Sequence, residues 1–166
     1  MVISHQDAIE TAVALGLPEI AQQLIRGDED IPDNLDIWFG APPEEFFLMD
    51  EEEQQEYDIE GVIPLWSRDI SNIVAYHYPS QKFVRLDLEV DWDLETLPKY
   101  SWQQILFDFF EQYWPLEEVS EEKFHEVAKA FGFKHASEII EAHQTLDRKR
   151  WVQWKDRLLA ELAGDE

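Results

Sequence analysis

The chain has 166 residues with 37 acidic and 13 basic side chains, a formal net charge of −24, and 45% apolar and 13% aromatic residues. That length reads as one domain with room for a helical appendage, and 7 Trp and 10 Phe exclude a disordered acidic tail. The absence of cysteine excludes disulfide frameworks, thiol nucleophiles and Cys-ligated zinc, while the charge repels nucleic acid and anionic membrane and favours encounter with a basic partner.

The first residues, Met1 to Asp7, carry no basic region followed by an apolar core, so no signal peptide is expected. No run of about 18 apolar residues predicts a membrane helix, and a cytoplasmic location is expected. Ser4 and Asp7 form a capping-box pattern ahead of Ile9, Val13 and Leu17 at helical spacing. Gly16 ends that helix, and Pro18 starts a second through Ile20, Ala21, Leu24 and Ile25. Gly27 to Asn34 reads as an acidic loop, Asp36 to Gly40 as a short aromatic segment, and Pro42-Pro43 as a break. Glu44 to Met49 fits a helical turn or a strand, and Asp50 to Glu60, with seven acidic residues, fits a solvated loop or a short exposed helix.

The sheet signal follows, from Gly61 to Glu89. Asn72 to Tyr78 alternates Ile73, Ala75 and His77 with Val74, Tyr76 and Tyr78. Lys82 to Val90 puts Val84, Leu86, Leu88 and Val90 on an apolar face and Phe83, Arg85, Asp87 and Glu89 on a polar one. Tyr78 to Gln81 is the predicted hairpin turn, and Asp91 to Tyr100 a loop. Capping patterns at Ser101 and Ser120 predict helices carrying Trp102, Ile105, Leu106, Phe109, Phe110 and Tyr113, then Phe124, Val127, Ala128 and Phe131. Two more helices are predicted, one from Ala136 to Gln144 and one carrying Trp151, Trp154, Leu158, Leu159 and Leu162. The segments beginning at Ser4 and Ser120 resemble each other, which ordinary capped helices ending in glycine explain.

Catalytic signals are sparse. Glu122-x-x-His125, with Glu118 one turn before, is a single motif where a di-iron bundle needs two, so no metal or cofactor is expected. His77, near Ser67, Ser71 and Ser80 in sequence, reads as a sheet residue rather than a general base. The cluster Arg148-Lys149-Arg150 with Trp151, Trp154, Lys155 and Arg157 reads as one face of an amphipathic helix rather than a nucleic-acid patch. The expected partner-binding residues are Glu51, Glu52 and Glu53 in the acidic stretch, and Asp91, Trp92 and Asp93, where an aromatic anchor sits between carboxylates.

Between Leu35 and Pro115 the chain resembles the SMI1/KNR4 family, the SUKH superfamily. The resemblance rests on Pro42-Pro43 before Phe46-Phe47, on Gly61-Val62-Ile63-Pro64-Leu65-Trp66, on the paired strands that follow and on the next helix. Gly61 and Trp66 match positions that are structural in the family, and Ser67 to Asn72 stands where the family has a glycine-rich turn. The resemblance implies an α+β fold, a twisted, mostly antiparallel sheet flanked by helices, with no enzymatic activity. It also implies, from the family's bacterial members, an immunity protein that neutralises a basic, nuclease-type toxin. The domain expectation is residues 1–116 for this unit and 117–166 for a helical extension packed on it. A regulatory scaffold of the same fold and a small carboxylate- or His-dependent enzyme are the alternatives. Oligomeric state is not legible.

Overall fold

In the computed structural model, residues 2–32, 35–57, 59–69, 71–115 and 119–164 are described. The chain divides into two compact units, Met1–Lys99 and Tyr100–Glu166. Nine helices and one three-stranded antiparallel sheet among the described residues make the fold α+β.

The first unit opens with α1 (His5–Ala14) and α2 (Glu19–Arg26). Ser4 caps α1 in a full capping box with Asp7, and hydrogen bonds from Ser4 hold the Asp7 carboxyl below its ordinary value. The buried face of α1 is Ala8, Thr11 and Ala12, while Val13 is 58% exposed. Of the residues at helical spacing, Ile9 is partly buried and Val13 is not. Small residues on the other face let α1 approach its neighbours closely, and that closeness outweighs the larger side chains. Three helices of five residues follow: α3 (Leu35–Phe39), α4 (Glu44–Leu48) and α5 (Glu51–Gln55). They resolve the aromatic segment, the ambiguous segment and the first part of the acidic stretch.

The strands β1 (Val62–Ser67), β2 (Asn72–His77) and β3 (Lys82–Asp87) pair in the order β1-β2-β3. The predicted hairpin joins β2 to β3, with Gln81 at φ +53° and its N–H donating to Tyr78 O. Residues opposite each other share a face. Val62, Ile73, Ala75, Val84 and Leu86 form one core cluster with Phe46 and Leu94. Tyr76 and Phe83 pair on the other face and are buried too. Two sequence expectations are corrected here. Phe83 lies in the core against Tyr76, with centroids 5.4 Å apart, so β3 is covered on both faces. The strand ends at Asp87 rather than Val90. Leu88 N–H still donates in register to Ser71 O, but the Val90 N–H closes a turn on Asp87 O, and Val90 is 59% exposed.

β1 is an edge strand whose outer side is blocked. Its register shifts between Pro64 and Trp66. At its far end Ser67 and Ala41 exchange backbone hydrogen bonds of 2.8 and 2.9 Å. Gly40 makes that approach possible: its φ is +112°, and a Cβ there would lie 2.4 Å from Ser67 O. Pro64 has no N–H to offer, and the Val62 N–H donates to Ile59 O at 3.0 Å.

The second unit is helical: α6 (Trp102–Tyr113), α7 (Glu121–Ala130), α8 (Ala136–Thr145) and α9 (Arg148–Leu162). α6, grouped with the sheet in the sequence reading, packs with α8 and α9. Ser101, Ser120 and Asp147 cap α6, α7 and α9 through their side chains. Phe110 centres an aromatic core, stacked on Phe133 at 4.8 Å and edge-on to Phe124 and Phe131 at 5.5 and 5.9 Å. Residues of the first turn of α6 tie down the other helices. Ser101 Oγ donates to Leu162 O, Gln104 Nε2 to Leu159 O, and Gln103 spans Gly132 O and Lys134 N.

Candidate functional site

The acidic stretch builds one wall of a cleft. Asp50 accepts from the backbone N–H of Glu52 and Glu53 at 2.9 and 3.0 Å, and the Glu53 carboxylate accepts from Asp50 N–H at 2.8 Å. That reciprocal cap, with Glu51, Glu52 and Glu53 at the positive end of the helix backbone, explains why so charged a sequence winds into α5. All three glutamates are exposed. Gln54 is the exception, 2% exposed. Its Oε1 accepts from Ile3 N–H at 2.8 Å, and its Nε2 donates to Ile3 O at 2.9 Å and to Phe46 O at 3.3 Å. One side chain therefore pins the N-terminal segment beside α5 and α4.

From α5 the chain passes through Glu56, Tyr57, Ile59 and Glu60 to Gly61, which turns into β1 at φ +73°. A Cβ on Gly61 would meet Pro79 Cδ at 3.0 Å, so the turn has room for glycine and its backbone conformation requires it. Between these segments lies an open cleft of about 650 Å³. Its apolar lining is Ile3, Tyr57, Ile59, Val62, Ile63 and Tyr78, and the exposed Glu56 and Glu60 stand at its margin. Two contacts fix its tyrosines. Tyr78 shares a 2.9 Å hydrogen bond with Thr11 Oγ1 and meets Tyr76 edge-on. Tyr57 stacks on Trp92 with centroids 6.5 Å apart.

That stack is what joins the two expected partner-binding segments. Trp92 is half-buried against the sheet core behind Tyr57, so it supports the cleft wall. Asp91 is exposed, and Asp93 accepts from Glu95 N–H at 2.9 Å in a local turn. Glu51, Glu52 and Glu53 lie on α5 beyond the cleft residues. Five residues of helix span about 7.5 Å, so their charges fall within about one screening length of the cleft.

The other candidates lie elsewhere. His77 is half-buried at the end of the face that carries Val62 and Ala75, and its Nδ1 meets Ser80 Oγ at 2.7 Å. Burial, reinforced by the Lys99 charge, holds its ring below the ordinary value. Ser71 belongs to a turn organised by Asp69, and Ser67 to the end of β1. His125 approaches Glu121 at 4.0 Å, and Glu118 lies outside the described residues. Among the described residues, no three His, Asp or Glu side chains cluster as a metal site would need.

Gln54 and the Tyr57/Ile59 pair are the residues sequence reasoning missed. Their one local signal is that each interrupts a run of acidic residues, where a solvated segment has no use for an apolar or aromatic side chain.

No protein-family model, no curated protein and no solved structure matches this chain.

Proposed function

We propose that this chain is a non-enzymatic protein that captures a basic protein partner, acting as an immunity protein against a nuclease-type toxin, as the resemblance to the SMI1/KNR4 family implies. The observation that carries the reading is the cleft: an apolar floor of Ile3, Tyr57, Ile59 and Tyr78 with carboxylates at its margin. Apolar and aromatic floors supply buried area, and surrounding charges supply steering and choice of sign. A first unit holding 23 acidic and 5 basic side chains in residues 1–99 strengthens the steering.

The test has two steps. Affinity capture from the native host, with bound proteins identified by mass spectrometry, is expected to return one basic partner at near-stoichiometric yield. Association of the purified pair is then expected to slow with salt, and to slow further when Glu51, Glu52 and Glu53 are changed to Lys. Association rates indifferent to both salt and charge reversal would overturn the reading.

A further inference from the structure

We infer that the cleft reads one large apolar side chain flanked by cations, presented side-chain first rather than as a strand added to β1. The inference rests on the basic-partner reading above and specifies what part of such a partner enters the site.

Three observations combine. First, the cleft is too apolar for a purely ionic contact. Tyr78 is 49% exposed, and Ile3, Tyr57, Ile59 and Ile63 are half-buried, so an occupant gains by covering them. Second, the charge at the margin has one sign among the described residues: Glu56 and Glu60 line it and Glu51 to Glu53 lie just beyond, with no lysine or arginine among the described lining residues. Long basic side chains fit such a site. Their aliphatic stems lie on Tyr57 and Ile59 while their charged ends reach the carboxylates. A volume of about 650 Å³ takes one leucine or aromatic side chain together with those stems. Third, the neighbouring sheet edge offers no ladder. Val62 N–H is already bonded to Ile59 O, Pro64 has no N–H, the register shifts after it, and Ala41 occupies the position beside Ser67. A partner strand would find no regular run of donors and acceptors, so backbone pairing cannot supply the affinity.

The test uses the full chain and three short labelled peptides at low salt. One carries a central leucine between paired Lys and Arg residues, the second has serine in place of that leucine, and the third is the leucine peptide with N-methylated backbone. The leucine peptide is expected to bind and to shift the amide resonances of Ile3, Tyr57, Ile59, Ile63 and Tyr78. The serine peptide is expected to bind about tenfold more weakly, the N-methylated one equally well, and Glu56→Gln with Glu60→Gln to weaken the leucine peptide by about threefold. Equal binding of leucine and serine peptides, with shifts spread over carboxylates outside the cleft, would overturn the inference and leave acidic capture standing. A tenfold loss on N-methylation would replace it with strand addition. Failure of all three peptides to bind would overturn this inference, and the parent reading would then be decided separately by the capture and salt measurements.

Discussion

The second unit is centred on an aromatic cluster, whereas the first adds to its apolar sheet core short helices placed by backbone geometry and polar ties. In Tyr100–Glu166 one ring, Phe110, touches Phe124, Phe131, Phe133 and Tyr113, which joins α6 to α7 and to the segment that follows it. In Met1–Lys99 three five-residue helices are too short to persist alone and are placed by specific contacts. Gly40 admits the Ala41–Ser67 bridge, and Gln54 ties Ile3 to α4. Each unit contains one deeply buried glutamine spanning backbone groups, Gln54 and Gln103, so polar ties are common to both. The difference is that only the first unit relies on them to form its cleft.

Removing volume is therefore expected to hurt the second unit most. Phe110→Ala should cost about 3–5 kcal/mol, read from urea unfolding followed by circular dichroism. A loss under about 1 kcal/mol would mean the cluster is loosely packed and the comparison is misplaced. In the first unit, touching the backbone is expected to do comparable damage without removing any atom. Gly40→Ala puts a methyl group against Ser67 O at 2.4 Å and strains a positive φ. It should cost about 3 kcal/mol and abolish amide protection at Ala41 and Ser67. Retained protection at both amides would show that the bridge does not depend on glycine.

Gln54→Ala comes next, at about 2 kcal/mol, because it strands the Ile3 backbone groups and Phe46 O. Its informative readout is local: Ile3 amide exchange should accelerate well before the sheet amides do. Uniform acceleration across the unit would make Gln54 an ordinary core residue rather than the pin of the cleft.

The same contrast decides what was legible in the sequence. α1, α2 and α6 to α9 were readable because caps such as Ser4, Ser101 and Ser120 coincide with two or more turns of periodic apolar residues. α4 and α5 were legible only as one of two alternatives and α3 only as an aromatic segment, because five residues complete barely more than one turn and set no period. The strands were readable from alternation, but not the end of β3, where Val90 continues the apolar pattern although its N–H has turned back onto Asp87 O. Glu51 to Glu53 stood out by charge alone. The cleft beside them did not, because it depends on Ile3 meeting Gln54 across 51 residues, a contact that no local pattern announces.

The smallest expected effect is also the sharpest comparison, since it pits one histidine in each unit against the same physics. His77 and His143 are both held below the ordinary value of 6.5, in each case first by loss of water around the ring. His143 loses it by packing on Trp151, with centroids 4.2 Å apart. The neighbouring charges then act with opposite signs. Lys99 pushes His77 further down, whereas Glu111, which accepts from Trp151 Nε1 and pairs with Lys155, pulls His143 back up. Lys99→Met should therefore raise the His77 midpoint in an NMR titration, and Glu111→Gln should lower that of His143. For stability the sign is common to both. The folded ring resists the proton that the unfolded ring accepts, so each histidine leaves stability untouched well above pH 6.5. Each then subtracts from it as pH falls from there through the folded midpoint. Midpoints that move in the same direction in the two variants would mean that Lys99 and Glu111 act by repacking rather than by charge.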